Sequence, residues 1–356
     1  MSSPSWFSTA LLPWYAEHRR LLPWRNTRDP YSIWLSEVIL QQTRVDQGLA
    51  YYQRFLQRWP TVARLAAASE DEVLKQWQGL GYYSRARNLL VAARQVAGEH
   101  GGKFPGTHAE LVGLKGVGDY TAAAIASICF DRPDAVVDGN VYRVLARVFG
   151  IPTPIDSTAG RKEFKQLATK LLDPDNPGDH NQAVMELGAT ICTPKAPRCP
   201  ACPLQHKCVA LGTGRVHELP VKQGTTRIRD RWFNYLHILQ SGTVHLHQRT
   251  GKDIWQGLFE PPLIESEKVL APSRLRAVLD RTYGRGWMIQ ARNDAGRHVL
   301  SHQHIHIVFW QVAPPKGFKP PSDWIPVAST RLEEYAVPRP IERWLKLLME
   351  EGGPAR

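Results

Sequence analysis

Four of the five cysteines of this 356-residue chain lie within seventeen residues, and this cluster strongly constrains how the surrounding chain can fold. They are Cys192, Cys199, Cys202 and Cys208, separated by six, two and five residues. Thiolates this close in sequence can converge on one metal centre without regular secondary structure between them. The compact spacing favours an iron–sulfur cluster held by four thiolates. A structural zinc site, which usually has two Cys-x2-Cys pairs, and a disulfide pair, which needs an oxidising compartment, remain open alternatives.

The chain carries a strong positive charge. Lys and Arg number 45 and Asp and Glu number 33, which gives a formal net charge of +12. Such a charge favours a polyanionic partner, either nucleic acid or an anionic membrane surface. The longest weakly polar run, Tyr120 to Phe130, is far shorter than the ~20 residues of a membrane-spanning helix, and the first six residues lack a signal-peptide pattern. We therefore expect a soluble, cytoplasmic protein that associates with nucleic acid (in a bacterium, with the nucleoid) and with no membrane.

The pattern of apolar residues changes along the chain and indicates two domains. We predict a mainly α-helical domain over 1-212, a linker over 213-230 and a C-terminal α+β domain over 231-350. The clearest predicted helices are Val38 to Phe55, Glu70 to Gln78, Ser84 to Ala97, Asp119 to Phe130, Val141 to Phe149 and Ser273 to Arg281. The predicted strands are Phe233 to His247 and Val299 to Trp310.

A Gly-Val-Gly turn joins two of the predicted helices in the first domain. Gly116 and Gly118 stand just before the helix that begins at Asp119. Backbone N–H groups in such a turn are unobstructed by side chains, and at a helix N-terminus they can bind a DNA phosphate. Taken alone, the turn is a weak signal, because many helices begin this way.

Two carboxylates in the helical domain are candidates for catalysis. Asp138 follows the apolar, strand-like stretch Ala135 to Val137 and precedes a helix, so by itself it favours a capping role. Glu37 is flanked on its helix by Ile33, Trp34 and other weakly polar residues rather than by a charged face. Burial raises the pKa of a carboxyl and makes it a proton donor near neutral pH. A buried acid opposite an ionised carboxylate can break a glycosidic bond through an oxocarbenium-like transition state.

Several motifs together resemble the MutY-type adenine DNA glycosylases of the helix-hairpin-helix superfamily, which includes endonuclease III. Besides the cysteines, the Gly-Val-Gly turn and Asp138, they are Leu22 to Arg25, Trp34 to Glu37, Gln41 to Thr43 and Gly79 to Tyr83. The resemblance covers essentially the whole helical domain. It implies a helix-hairpin-helix glycosylase domain that removes adenine opposite 8-oxoguanine or guanine and leaves an abasic site. It also implies a monomer on double-stranded DNA with one four-iron four-sulfur (4Fe-4S) cluster in the cysteine site.

The resemblance implies a role for each residue near the reaction centre. Glu37 would protonate adenine at N7 and later help to position water. Asp138 would stabilise or transiently capture the sugar cation at C1′, and Asn140 would assist near the sugar. Tyr120 stands where lyase members of the superfamily have the lysine that forms a Schiff base, so a monofunctional glycosylase is favoured.

Two further groups of residues would contact the DNA bases. Three would line the pocket for the extruded adenine: Trp24, Arg25 and Gln182. Three would contact, or wedge beside, the orphaned 8-oxoguanine: Gln42, Thr43 and Tyr82. Because Tyr82 follows two glycines in a turn, we expect its side chain to be exposed.

One departure from the family pattern lies in the glycine turn. The family turn commonly reads Leu-Pro-Gly-Val-Gly, and Lys115 replaces the proline here. Because both glycine amides remain, we expect phosphate binding to survive, with a looser turn.

The C-terminal domain resembles the recognition domain of the same enzymes, which has the Nudix fold. The resemblance rests on Trp255 to Pro262 and Arg297 to His302. The acidic helix that a Nudix hydrolase needs for Mg²⁺ is missing, so we expect no hydrolase activity. Ser301 and His302 would contact 8-oxoguanine, but Leu300 replaces the family's phenylalanine, and stacking by that aromatic is lost.

Histidines alternate along a predicted strand at 302, 304 and 306. A metal site there is less favoured than a half-solvated strand face, because no acid or cysteine completes the ligand set in the sequence pattern.

Two other functions compete with adenine excision. One is an endonuclease III-like enzyme that excises oxidised pyrimidines and nicks DNA, which Tyr120 and the extra domain oppose. The other is a non-catalytic iron–sulfur DNA-binding protein, which Glu37 and Asp138 oppose. The sequence indicates no particular protein partner.

Overall fold

The computed structural model describes residues 5–224, 228–238 and 243–351, and these form two compact units. The first unit contains residues 5–67 and 88–224, and the second contains residues 68–87, 228–238 and 243–351. Residues 225–227 of the predicted linker and residues 239–242 of the predicted strand Phe233 to His247 lie outside the described residues, as do residues 1–4.

The helices are numbered in chain order. They are α1 (Trp6–His18), α2 (Pro30–Leu40), α3 (Val45–Arg58), α4 (Val62–Ala66), α5 (Glu70–Trp77), α6 (Ser84–Glu99), α7 (His108–Val112), α8 (Asp119–Phe130), α9 (Gly139–Phe149), α10 (Thr158–Leu171), α11 (Pro177–Thr190), α12 (Val209–Gly212), α13 (Pro272–Tyr283) and α14 (Arg339–Glu351). Short 3₁₀ turns occur at Pro23–Arg25, Cys199–Ala201, Gln205–Lys207 and Ser329–Glu334.

The strands belong to the second unit. They are β1 (Arg229–Ile238), β2 (Thr243–Gln248), β3 (Phe259–Glu260), β4 (Leu263–Ser266), β5 (Met288–Val299), β6 (Gln303–Ala313) and β7 (Ile325–Ala328). They form a four-stranded sheet in the order β4-β1-β6-β5 and a three-stranded sheet in the order β3-β2-β7. In the larger sheet β1 and β6 are parallel, and the other two pairs are antiparallel.

Helix α8 forms the centre of the first unit. Its residues from Thr121 to Ile128 are all buried, and α2, α7 and α11 pack against it. The small side chains of Ala122, Ala123 and Ala124 are fully buried, which lets the neighbouring helices approach closely. Because α2 and α8 are in contact, they place Glu37 and Tyr120 side by side.

Most of the predicted helices form, but the prediction of one helix from Val38 to Phe55 was wrong. The chain leaves the helix after Leu40, passes through Gln42 with a left-handed backbone (φ 56°) and re-enters a helix at Val45. Neither Gly nor Pro marks this break, so the apolar pattern appeared continuous.

The Gly-Val-Gly turn joins α7 to α8. Gly116 has a φ of 77°, and a Cβ there would lie 2.7 Å from Cβ of Asn88, so both backbone and space require glycine. The N–H of Lys115 donates to Oε1 of Gln95 at 2.7 Å. This bond ties the turn to α6, and a proline at position 115 has no N–H with which to make it.

One hydrophobic cluster of the second unit lies on one face of its larger sheet. Residues of β1, β6 and α13 pack around two fully buried tryptophans, Trp287 and Trp310. Helix α5 and the first turn of α6 also belong to this unit. Arg87 donates to the backbone oxygen of Gln256 at 2.5 Å, and Lys75 donates to the backbone oxygen of Tyr335 at 3.0 Å. The sequence did not indicate that residues 68–87 would group with the C-terminal part of the chain.

The mainly helical first unit and the α+β second unit confirm the predicted fold class. Among the described helices, none combines the length and the apolar character needed to cross a membrane.

Candidate active site

One pocket of the first unit, with a cavity of about 190 Å³, collects many of the residues singled out in the sequence. Those that line it are Trp24, Arg25, Glu37, Thr43, Tyr120, Asp138, Asn140 and Gln182. They come from α2, α8, α9, α11 and the segments that flank α2, so distant parts of the sequence meet here. Gln42 does not line this pocket, although its neighbour Thr43 does.

Glu37 lies on α2 with 9% of its surface exposed. Burial is the main cause that raises the pKa of its carboxyl to about 7. A hydrogen bond from the hydroxyl of Tyr120, at 2.5 Å from Oε2, opposes this shift, and the nearby carboxylate of Asp138 adds to it. Near neutral pH a large fraction of Glu37 is therefore protonated, as a general acid requires.

Asp138 caps α9 and lines the same pocket. Its Oδ1 accepts from the backbone N–H groups of Asn140 (2.9 Å) and Val141 (2.7 Å), and its Oδ2 accepts from the side-chain amide of Asn140 (2.8 Å). Burial raises the pKa of Asp138, and these hydrogen bonds oppose the rise. The carboxylate of Asp138 therefore caps α9 and lines the candidate pocket at the same time.

The segment that leads to Asp138 is not a strand. Residues 131–138 have no regular secondary structure, so the strand-like interpretation of Ala135 to Val137 was wrong. The apolar side chains of Ala135 and Val136 are buried although the backbone is irregular. The N–H of Val136 donates to the side chain of Asn181 rather than to a neighbouring strand.

Sequence reasoning missed a carboxylate in the pocket wall. Glu186 of α11 is fully buried and accepts hydrogen bonds from Arg20 and Arg25. Burial opposes its ionisation, but the two guanidinium groups outweigh burial and lower its pKa to about 2. The signal that identified Glu37, an acid among apolar helix neighbours, is also present at Glu186, beside Ala183 and Leu187.

Arg143 was also missed, and it connects the pocket to the cysteine loop. One of its terminal nitrogens donates to Oδ1 of Asn140 at 2.8 Å and to the backbone oxygen of Gly188 at 2.7 Å. Its Nε donates to the backbone oxygen of Cys192 at 2.6 Å. Asn140 is therefore held between Asp138 and an arginine that also holds the first cysteine.

The four clustered cysteines line one cleft of the first unit. All five cysteines of the chain are free thiols. Burial raises the pKa of the Cys202 thiol to about 11. Arg147, itself buried, donates to Sγ of Cys192 at 3.3 Å. The donor set and the shared cleft fit a cluster bound by four thiolates.

As the side chains stand, no group of three or more His, Cys, Asp or Glu within the described ranges is arranged to hold a metal ion. The alternating histidines have an acid beside them that the sequence pattern did not indicate. Oδ1 of Asp230 lies 2.8 Å from Nε2 of His306 and 3.6 Å from Nδ1 of His304. Asp230 therefore pairs with two of these histidines, and the preference for a half-solvated strand face over a metal site stays a prediction.

A second pocket, of about 380 Å³, lies within the second unit. It brings together Tyr82, Trp255, Leu300, Ser301 and His302. Tyr82 is 46% exposed and has a left-handed backbone (φ 48°), which confirms the exposure expected for it. Oγ of Ser301 and Nδ1 of His302 are 3.2 Å apart, so the two side chains present one polar edge.

Two family models match the chain. Residues 35–173 match the HhH-GPD superfamily base excision DNA repair proteins, and residues 234–347 match the NUDIX domain. The adenine DNA glycosylase of Rattus norvegicus is 50% identical over 226 residues, which are 60% of this chain and 44% of that protein. The adenine DNA glycosylase of Buchnera aphidicola (subsp. Schizaphis graminum) is 34% identical over 254 residues, which are 71% of this chain and 73% of that protein. The chain spans less than half the length of the mammalian relatives.

Solved structures resemble part of the chain. A thermostable thymine-DNA glycosylase superposes with a TM-score of 0.54 at 30% identity, over 58% of this chain and 95% of that one. A non-covalent endonuclease III–DNA complex superposes with a TM-score of 0.50 at 23% identity, over 58% of this chain and 94% of that one, and shows the fold alone.

Proposed function

Since this chain belongs to the adenine DNA glycosylase family, we propose that it hydrolyses the N-glycosidic bond of adenine mispaired in double-stranded DNA. The substrate is adenine opposite 8-oxoguanine or guanine, and the product is an abasic site for base excision repair. The observation that carries the proposal is that Glu37, with a pKa near 7, and Asp138 line one pocket.

In the proposed reaction Glu37 donates its proton to N7 of the extruded adenine. Protonation turns the base into a better leaving group, and general acid catalysis of this kind contributes about 10²–10⁴-fold. The hydroxyl of Tyr120 holds Oε2 of Glu37 and directs the proton toward the base. The same carboxylate then orients the water that attacks the sugar.

Asp138 stabilises the positive charge that develops at C1′ as the bond breaks. Its three donors fix the carboxylate before the reaction, so little reorganisation is needed in the transition state. Asn140 supplies two of these donors and is a positioning residue near the sugar. Trp24, Arg25 and Gln182 form the walls of the adenine pocket.

Monofunctional hydrolysis is favoured over lyase chemistry at this pocket. Tyr120 occupies the position beside Glu37, and the described residues that line the pocket include no lysine. A Schiff base with the sugar therefore has no amine from which to form there.

Recognition of the opposite base is proposed for the second unit and for the break between α2 and α3. Ser301, His302 and Tyr82 share a pocket whose polar edge suits the altered edge of 8-oxoguanine. Gln42 and Thr43 of the first unit are proposed as further contacts to the DNA bases. The N–H groups of the turn at Gly116 and Gly118 bind a phosphate of the DNA backbone.

We propose one 4Fe-4S cluster on Cys192, Cys199, Cys202 and Cys208. When bound, the cluster supplies a fixed positive centre that holds the loop from residue 192 to residue 208 in one conformation. Iron and acid-labile sulfide, measured on anaerobically prepared protein, should each approach four per chain, and Cys199→Ser should lose both together with solubility. Stoichiometric zinc without iron would refute the cluster.

One assay tests the proposed activity. The protein is incubated with duplexes that carry adenine opposite 8-oxoguanine, adenine opposite guanine, thymine opposite guanine, or thymine glycol. Strand cleavage is then compared with and without hot alkali. We expect cleavage of both adenine duplexes only after alkali and none of the other two. Cleavage of thymine glycol without alkali would replace the proposal with an endonuclease III-like activity.

A further inference from the structure

Glu186 has an unusually complete set of donors for a residue outside the predicted site. Its Oε1 accepts from Nε of Arg20 at 2.8 Å and from the backbone N–H of Arg20 at 3.1 Å. Its Oε2 accepts from Nη2 of Arg20 and from Nη2 of Arg25, both at 2.6 Å. A buried carboxylate with this many charge-assisted bonds is held in a single orientation.

The same contacts fix Arg25 in the wall of the adenine pocket. Nη2 of Arg25 donates to Glu186, and Nη1 donates to the backbone oxygen of Arg20 at 3.1 Å. The guanidinium also lies over the ring of Tyr15, 5.6 Å from the centroid. The side chain of Arg25 is 9% exposed, so its direction is set by these protein contacts rather than by water.

The charges of Arg20, Arg25 and Glu186 do not cancel. Arg20 and Arg25 carry two positive charges and Glu186 carries one negative charge, so this wall of the pocket has a net charge of +1. The other titratable groups that line the pocket are Glu37, Tyr120 and Asp138. Arg25 acts directly on Glu37, because its charge favours the ionised form of that carboxyl.

We propose that Glu186 is a positioning residue for the excision reaction, which fixes Arg25 in the wall of the adenine pocket and offsets one of the two guanidinium charges of that wall. The proposal rests on the proposed function, since it concerns the pH range in which Glu37 can act as the acid. Glu186 acts through Arg25, which it holds by a hydrogen bond and whose charge favours the ionised form of Glu37.

The proposal predicts opposite effects for two substitutions. Glu186→Gln leaves two uncompensated guanidinium groups, so Glu37 gives up its proton at lower pH. Arg20→Met leaves one guanidinium and one carboxylate, so Glu37 keeps its proton to higher pH. A unit charge about 12 Å from a carboxyl, in a medium of effective dielectric constant about 20, shifts the titration of that carboxyl by on the order of one pH unit.

The experiment measures single-turnover excision of adenine opposite 8-oxoguanine from pH 5 to 9 with the full-length protein in excess. The observable is the midpoint of the alkaline limb, where the rate falls as Glu37 ionises. We expect the midpoint to move down by on the order of one unit in Glu186→Gln and up by a similar amount in Arg20→Met. The double variant Glu186→Gln/Arg20→Met keeps only Arg25 and should return to the midpoint of the unsubstituted protein.

The double variant separates charge from packing. If Glu186→Gln only loosens the fold, the second substitution will not restore the midpoint, and the proposal is wrong. It is equally wrong if both single variants move the midpoint in the same direction or leave it in place. Glu218→Gln is the matched control, because Glu218 is an exposed carboxylate paired with Arg215 and lies outside the pocket. Absence of excision by the unsubstituted protein would instead reject the proposed function.

Discussion

The pockets of the two units differ in the kind of side chain that lines them. In the first unit, Glu37 is buried and Asp138 is half-buried, and each is held by defined hydrogen bonds. In the second unit, the proposed contacts are an exposed tyrosine, a serine and a histidine on a turn between two strands. Burial shifts pKa values only where it removes water. The contrast agrees with the proposed roles, which are proton transfer in the first pocket and recognition of a base in the second.

The largest expected effect is the loss of the proton donor. Glu37→Gln keeps the shape of the side chain but has no acidic proton, so we expect the excision rate to fall by about 10²–10⁴-fold. Binding of the mispaired duplex should change little, since the second pocket is intact. Single-turnover rates and gel-shift affinities measured on the same preparation check this. A rate within tenfold of the unsubstituted protein would mean that the acid lies elsewhere.

A loss nearly as large is expected at Asp138. Asp138→Asn removes the charge that faces the sugar cation, so excision should fall by about 10²–10³-fold. It keeps one oxygen that can cap α9 but loses the acceptor for the side chain of Asn140, so the melting temperature should fall less than in Asp138→Ala. Asp138→Ala should lose the cap as well, at a further cost of about 0.5–2 kcal/mol in the free energy of unfolding. Thermal denaturation followed by circular dichroism distinguishes the two variants. Equal melting temperatures would show that the cap contributes nothing.

The stability of the protein in acid tests whether burial also shifts the pKa of a titratable group outside the active-site pocket of the first unit. His180 is 3% exposed, and burial lowers its pKa from 6.5 to about 4. Between these two pH values His180 is neutral in the folded protein but protonated in the unfolded chain. The free energy of unfolding should therefore fall as the pH drops from about 6.5 to 4, by about 3 kcal/mol in total. His180→Gln should flatten this slope in urea denaturation.

The smallest expected effect belongs to the second pocket. Ser301→Ala removes one hydroxyl, and a hydrogen bond of this kind contributes on the order of 1 kcal/mol, so affinity for the 8-oxoguanine duplex should fall several-fold. Affinity for the plain guanine duplex should hardly change. Ser322→Ala, at an exposed serine of the same unit, is the matched control for fluorescence anisotropy titrations. Equal weakening of both duplexes would make Ser301 a contact to the DNA backbone.

Sequence periodicity predicted helices best where the helix is marked at both ends. Helix α8 has the predicted bounds, because Gly118 precedes it and Asp131 ends it in a left-handed conformation. The break between α2 and α3 was missed, since a left-handed glutamine leaves no trace in an apolar pattern. The segment before Asp138 was misassigned because buried irregular backbone and a strand both select apolar residues.

The candidate site was predicted from the sequence only in part. Glu37 was found from its apolar neighbours, and its burial follows from the same pattern. Glu186 and Arg143 were missed because their importance lies in partners more than forty residues away, such as Arg25 and Cys192. No local pattern encodes such pairings. Likewise, nothing in residues 68–87 indicates that their neighbours follow more than 160 residues later.

The place of residues 68–87 in the second unit has a consequence for synthesis on the ribosome. Arg87 and its partner Gln256 are 169 residues apart, and at about 5–20 residues per second the partner emerges on the order of ten to thirty seconds later. During that interval Leu74, which is fully buried in the finished protein, lacks the contact with the segment around Gly257. We expect the nascent chain to engage a chaperone at this segment, and to be released only when the strands of the second unit have left the exit tunnel.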